Sequence, residues 1–118
     1  MTTLEKIGNP PRTVRPVELP SGLTVHVRAL TLAETRRIDA LADQVLDGPE
    51  RNERYTLLVC AFGLAEEDGA AVFPHAVKFA PDDAAVEAAL AAVAALEVEQ
   101  ILKIAGEVLG DRARAKNA

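Results

Sequence analysis

Between residues 25 and 41 the pattern of apolar and polar positions changes from that of a strand to that of a helix. Up to Arg28 the two classes alternate, which is the period of a half-buried strand. After Thr31, one helix face is marked at three- or four-residue spacing by Leu32, Thr35, Ile38, Ala42 and Val45. Thr31 and Glu34 have the spacing of a capping box, in which each side chain accepts a hydrogen bond from the other residue's backbone N–H. The pattern therefore predicts a strand that leads directly into a capped helix.

A β-hairpin is predicted ahead of this helix. Two short alternating runs, V-R-P-V-E-L and L-T-V-H-V-R, flank P-S-G, where Gly22 can take a positive φ in a turn. Pro16 has no N–H to donate, so the first strand either lies at the edge of a sheet or begins after this residue. Because a hairpin alone is only marginally stable in water, one of its faces should pack on helices. The residues expected on that face are Leu19, Leu23, Val25 and Val27.

The first two helices are predicted on either side of D-G-P. One covers about residues 32–46 and ends at Gly48, and the next covers roughly residues 49–65. The side chains of the second helix that we expect to face the core are Tyr55, Leu58, Val59 and Phe62, with Leu57 as a further candidate. A tight turn in E-E-D-G follows, and the chain returns with an apolar anchor at V-F.

The longest helical pattern lies in residues 81–109. Its two apolar stripes do not join smoothly through A-A-L-E-V-E, so we predict two helices that meet near residues 95–97; one bent helix is the alternative. Gly110 is expected to end the last helix.

These elements predict the fold class and the division of the chain. The fold is expected to be α+β and mainly α, with an N-terminal β-hairpin packed on a bundle of about four helices. A chain of 118 residues is long enough for one domain. We expect a flexible N-terminal arm at residues 1–13, a single domain at residues 14–110 and a disordered basic tail at residues 111–118.

Composition adds constraints on stability and on partners. Hydrophobic residues make up 49% of the chain, but many are alanines, aromatic residues are only 3% and there is no Trp. The core must therefore be built from Leu, Val, Ile and Ala, so we expect modest stability, to which self-association or a partner could add. The formal net charge of −5 argues against general binding of nucleic acid, which requires a concentrated basic patch.

Residues that could support catalysis or bind a metal do not form a recognisable constellation. The single Cys60 lies in the apolar run L-L-V-C-A-F and is interpreted as a buried structural thiol in a reducing cytoplasm. His26 and His75 lack metal-ligand spacing, and neither a phosphate-binding glycine motif nor a nucleophile elbow is present. No stretch reaches the roughly 20 apolar residues of a membrane helix. We therefore expect no enzymatic activity, cofactor, metal site or membrane insertion.

Four arginines are candidates for a basic binding patch. They are Arg36, Arg37, Arg51 and Arg54, and they could converge if the first two helices pack antiparallel. The alternative is a pair of solvated faces with local salt bridges to Glu34, Asp39 and Glu50.

Apolar residues near the end of the chain are a second candidate surface. Leu96, Val98 and Leu109 either mark a protein-binding groove or close the core. Helix faces near the chain ends offer the most available basic and apolar positions. The predicted partner-binding residues are accordingly Arg36, Arg37, Val98 and Leu102.

Three segments stand out by their order and spacing. They are V-E-L-P-S-G-L-T-V-H-V-R-A-L-T-L-A-E, then Y-T-L-L-V-C-A-F-G-L-A-E-E-D-G-A-A-V-F, then I-L-K-I-A-G-E-V-L. Together they resemble the small tail assembly chaperones of long-tailed bacteriophages. In that family a strand of the form V-x-V-R-x-L-[ST]-x-x-E leads into a helix, a second helix ends in an acidic-Gly-x-x-[LV]-F turn, and a last helix carries an I-x-x-I stripe. The corresponding residues here are 25–34, 67–73 and 101–110.

The resemblance implies a non-enzymatic role in the host bacterial cytoplasm. Such a chaperone binds the tape-measure protein, keeps its long helices soluble, recruits tail-tube (major tail) subunits and is absent from the mature virion. Related families often also make a longer product by ribosomal frameshifting. Two alternatives stay open: a structural tail or connector subunit retained in the virion, and a small regulatory protein- or nucleic-acid-binding domain.

Overall fold

Three strands and five helices make up the part of the chain that the structure, a computed structural model, describes: residues 14–44, 48–77 and 83–117, with side chains up to residue 110. In chain order they are β1 (Val14–Glu18), β2 (Thr24–Arg28), α1 (Leu32–Ala42), α2 (Gly48–Gly63), β3 (Leu64–Ala65), α3 (Pro74–Val77), α4 (Asp83–Ala94) and α5 (Val98–Asn117). The strands form one antiparallel sheet in the order β1-β2-β3. The fold is therefore α+β and mainly α, with the N-terminal hairpin packed on helices, as the sequence predicts.

The predicted hairpin is confirmed, and its turn lies at P-S-G. Strands β1 and β2 pair antiparallel with Val17 opposite Val25, and Gly22 has a φ of +88°. Within the turn, the N–H of Gly22 donates to the carbonyl of Leu19 at 2.8 Å. Pro16 lies inside β1, which is an edge strand, so its missing N–H removes no bond from the centre of the sheet.

The prediction of a buried hairpin face is wrong for one residue, Leu23. Val27 is fully buried and Val25 is half-buried, but Leu23 is 58% exposed. Exposure thus increases from Val27 through Val25 to Leu23, towards the turn. Leu19, which lies between β1 and the turn, is buried as expected.

Strand β3 replaces the predicted end of the second helix. Helix α2 ends at Gly63, and the next two residues pair with β2, with Leu64 opposite Val27 and Ala65 opposite His26. A Cβ on Gly63 would lie 2.3 Å from Val108 Cγ2, so α2 and α5 approach closely at this point. The predicted turn after β3 is confirmed, since Gly69 has a φ of +92° and its N–H donates to the carbonyl of Glu66 at 2.9 Å.

Helix α1 begins with the predicted capping box. The N–H of Glu34 donates to Thr31 Oγ1 at 3.1 Å, and the N–H of Thr31 donates to Glu34 Oε1 at 3.0 Å. The helix ends at Ala42, earlier than predicted. Leu32, expected on the inner face, is 63% exposed, because this first helical position lies before the residues that reach the core. Val45 lies outside the described residues, as does the predicted arm at residues 1–13.

The two predicted C-terminal helices are both present, and the second is longer than expected. Helix α4 ends at Ala94 and α5 begins at Val98, so the alternative of one bent helix is wrong. The prediction that Gly110 ends the last helix is also wrong, because α5 continues to Asn117. A glycine inside a helix costs only about 1 kcal/mol relative to Ala, and the R-A-R-A-K that follows is made of good helix formers.

Helix α2 is the central element of the core. It packs against α1, α4 and α5, and its residues Leu58 to Phe62 are all buried. The largest fully buried side chains are Phe62, Ile38, Leu58, Ile104, Val27, Val59, Val93 and Val108. They come from the sheet and from α1, α2, α4 and α5, so one apolar core joins all of these elements.

Candidate functional site

An apolar groove lies between α2 and the start of α5. We call it the α2–α5 groove; it has a volume of about 370 Å³ and is lined by Glu53, Thr56, Leu57, Ala94, Leu96, Val98, Ile101 and Leu102. Helix α2 forms one side, the first turns of α5 form the other, and the short connection between α4 and α5 closes one end. The groove therefore exists because the chain breaks between Ala94 and Val98 instead of continuing as one helix.

Val98 and Leu102 are the most exposed residues of this groove. They are 69% and 60% exposed, and they lie one turn apart on α5. Single exposed apolar residues are normal on a protein surface, but contiguous apolar patches mark interaction sites more often. Here the two residues adjoin the half-buried Leu57, Leu96 and Ile101. The structure thus brings together the two apolar members of the predicted partner-binding set.

A second depression extends the groove along α2. It has a volume of about 340 Å³, shares Glu53, Leu57 and Ala94 with the α2–α5 groove, and adds Glu50, Arg54, Glu87, Leu90 and Ala91. From Glu50 to Leu57, the edge formed by α2 is about 10 Å long at 1.5 Å per residue. The combined surface can therefore receive about two turns of a helix.

The charged residues along this surface are mostly acidic. Arg54 is neutralised by an ion pair with Glu87 at 2.9 Å, and it also donates to the carbonyl of Leu41. Glu50 and Glu53 are exposed, and no cation among the described residues forms an ion pair with either. Glu99 is exposed on the first turn of α5.

The four candidate arginines do not form one patch. Arg37 donates to the carbonyl of Val77 at 2.7 Å and so joins α1 to α3. Arg51 pairs with Asp43 at 2.6 Å, and Arg54 binds near the same end of α1, so these two join α2 to α1. Arg36 is exposed on α1. Neither Arg36 nor Arg37 lines the α2–α5 groove.

A second apolar cleft lies between the sheet and the C-terminal helices. It has a volume of about 350 Å³, and among its lining residues are Leu23, Val25, Phe73 and Leu96. Leu96 also lines the α2–α5 groove, and the Gln100 amide donates to the Ser21 hydroxyl at 2.8 Å. The hairpin turn therefore lies beside the first turn of α5, which sequence periodicity alone had not indicated.

The reactive side chains are placed as structural groups. Cys60 is buried, and burial raises the pKa of its thiol to about 12, while its S–H donates to the carbonyl of Ile101 at 3.4 Å. Among the described residues there is no group of three or more His, Cys, Asp or Glu side chains that could hold a metal ion. Within the same residues, no helix has the length and apolar character needed to cross a membrane.

Comparison of the chain with protein-family models, curated proteins and solved structures found no match. A functional proposal for this protein therefore rests on the geometry of the α2–α5 groove and on the order of its sequence motifs.

Proposed function

We propose that this protein is a non-enzymatic tail assembly chaperone of a long-tailed bacteriophage. It binds amphipathic helical segments of the tape-measure protein, keeps that protein soluble and recruits tail-tube subunits as the tube polymerises. The observation that supports this proposal is the α2–α5 groove, in which the apolar surface of Val98 and Leu102 stays exposed within the described part of the chain. Helix-in-groove recognition uses surfaces of this kind.

The physical properties of the chain suit this role. A long helix with an apolar stripe aggregates unless the stripe is covered, and a chaperone that covers it must itself stay soluble. The net charge of −5 favours solubility of such a complex through mutual repulsion between copies. The proposed site of action is the host bacterial cytoplasm, with the chaperone released before the virion is complete.

Co-expression with the tape-measure protein of the same phage tests the proposal. The soluble fraction of the tape-measure protein should rise several-fold with the wild-type chaperone. Leu102→Asp should abolish this gain, because a carboxylate would enter an apolar groove. Leu32→Asp is the matched control, since Leu32 is equally exposed but lies on α1, away from the groove. Equal soluble fractions with and without the chaperone would contradict the proposal.

Mass spectrometry of purified particles separates the chaperone from a structural subunit. The chaperone should be absent from mature virions or present only in traces. Stoichiometric amounts in mature particles would instead assign the protein to the virion structure.

A further inference from the structure

The two sides of the α2–α5 groove carry the same sign of charge. On α2, Glu50 and Glu53 stand along the edge, with Glu53 in the groove lining itself. On α5, successive residues are 100° apart, so Glu99 lies on the outer side of Leu102 and borders the exposed apolar stripe. An apolar floor is therefore flanked by carboxylates on both sides.

The nearby basic groups do not cancel these carboxylates. Arg54 is already paired with Glu87. Lys103, the next basic residue along α5, pairs at 3.2 Å with Glu107, which Arg15 also binds, so this cluster keeps one positive charge against three carboxylates beside the groove. At neutral pH the groove therefore keeps a negative potential, which favours ligands with positive charge beside an apolar stripe.

From this arrangement we infer that the α2–α5 groove binds a basic amphipathic helix. Apolar side chains at positions i, i+3 or i+4, and i+7 of the ligand would contact Leu57, Val98 and Leu102. Lysine or arginine side chains on the flanks would pair with Glu53 and Glu99. The inference deepens the proposed function, because it specifies the chemical class of helix that the chaperone recognises.

Two synthetic peptides test the charge preference directly. Both are about 18 residues long with the same apolar stripe, and all flanking positions are Lys in one and Glu in the other. We expect the Lys peptide to bind at least tenfold more tightly in about 20 mM salt, measured by fluorescence anisotropy. Each exposed ion pair contributes about two- to five-fold in Kd. In about 500 mM salt the difference should fall to within about threefold, because exposed pairs are screened. Equal Kd values for the two peptides at low salt would overturn the inference.

A scrambled Lys peptide, with the same composition but no apolar stripe, controls for attraction to the acidic protein as a whole. It should bind at least tenfold more weakly than the striped peptide. Leu102→Asp should weaken the striped peptide by a similar factor, whereas Leu32→Asp should not change its Kd. If Leu102→Asp leaves the Kd of the striped peptide unchanged, the assignment of the binding site to this groove is overturned.

Charge-reversal variants locate the acidic contacts. The double variant Glu53→Lys/Glu99→Lys should reverse the order of the Lys and Glu peptides. The matched control is Glu67→Lys/Glu18→Lys, which makes the same change in net charge at exposed positions outside the groove lining and should keep the wild-type order. Circular dichroism of each variant establishes that the fold is retained. A reversal in the control as well would overturn the inference.

Other occupants give different results. If a second copy of this chain fills the groove, sedimentation will detect a dimer that Leu102→Asp dissociates, and this outcome overturns the inference. If the Lys peptide binds as expected but the tape-measure protein stays insoluble on co-expression, the groove assignment holds and the proposed function fails. If the tape-measure protein becomes soluble but the peptides bind equally, the proposed function holds and the charge preference fails.

Discussion

Arg28 and Glu34 form a buried ion pair where β2 meets α1. Arg28 Nη2 lies 3.1 Å from Glu34 Oε2, and Arg28 Nε donates to the carbonyl of Phe62 at 3.1 Å. Glu34 also accepts from Thr31 in the capping box. One carboxylate therefore caps a helix and neutralises a buried guanidinium, which in turn binds the end of α2. Removing one partner of a buried pair costs much more than removing a surface charge.

Thr31→Ala and Glu34→Ala should therefore lower the free energy of unfolding by different amounts. Loss of the Thr31 hydroxyl should lower the free energy of unfolding by about 1 kcal/mol, as for other N-cap residues. Glu34→Ala should lower it by about 3 kcal/mol, because the Arg28 guanidinium would stay buried without this carboxylate. Urea denaturation of both variants measures the difference. Equal losses would show that the ion pair adds nothing, and loss of peptide binding by Thr31→Ala at unchanged stability would give Thr31 a role beyond architecture.

At the scale of elements, the position of α2 against α5 decides the shape of the candidate site. At one end of this contact Gly63 allows the backbone of α2 to meet Val108. Towards the other end Leu57, Val98 and Leu102 line the open groove between the two helices. The close contact and the groove are thus two parts of one helix–helix interface.

Gly63→Ala tests the close contact. The added Cβ would lie 2.3 Å from Val108 Cγ2 and 2.8 Å from Cγ1, so we expect a loss of about 1–3 kcal/mol from overpacking. Val108→Ala removes both methyl groups and should itself lower the free energy of unfolding by about 1–2 kcal/mol, because it leaves a cavity. The double variant should lose less than the two single losses combined, as measured by a double-mutant cycle. Simple additivity would contradict the close approach of α2 and α5.

Across the whole molecule, Arg15 joins the first strand to the last helix. Its Nη1 lies 2.5 Å from Glu107 Oε2, and its Nη2 donates to the backbone carbonyl of Glu107 at 2.8 Å. The hydrogen bond from Arg15, followed by that from Lys103, lowers the pKa of the Glu107 carboxyl below its ordinary value of 4.5. Elements that are far apart in the chain are therefore connected by a pH-dependent contact.

Glu107→Gln should remove a contribution that depends on pH. Because the pKa of Glu107 is lower in the folded state than in the unfolded state, the carboxylate stabilises the fold fully above about pH 4.5. That contribution is lost as the pH falls through the lower, folded-state pKa. The stability difference between wild type and Glu107→Gln, measured by urea denaturation, should thus be largest near pH 7 and shrink below pH 4.5. Glu67→Gln, at an exposed turn, is the control and should show little difference at either pH.

Local sequence signals predicted the local features of the fold well. The turn glycine Gly22, the capping box of Thr31 and Glu34, and the break before Val98 all follow from interactions within a few residues, and all are present. For Val98 the sequence left open a binding groove or a place in the core, and both Val98 and Leu102 are exposed. What periodicity could not indicate was that α2 lies beside these two residues, because that contact joins segments about 40 residues apart.

The wrong predictions concern places where distant segments meet or fail to meet. Leu64 and Ala65 continue a helical pattern, yet they pair with β2 because the sheet offers backbone partners. Leu23 and Leu32 have core-like spacing, yet no distant element covers them fully. Gly110 is of a residue type that often ends helices, yet α5 continues beyond it to Asn117.

The sequence by itself determined the two hairpin strands and four of the five described helices, where the capped joint between β2 and α1 lies, and that no catalytic motif is recognisable. These properties depend on side-chain periodicity, turn residues and capping, all of which act over a few residues. Only the tertiary structure decided that Leu57, Val98 and Leu102 share a groove with acidic edges, and that the joint is tied to α2 through Arg28. Such arrangements depend on how whole helices pack, which is set by the sum of many contacts between segments distant in the chain.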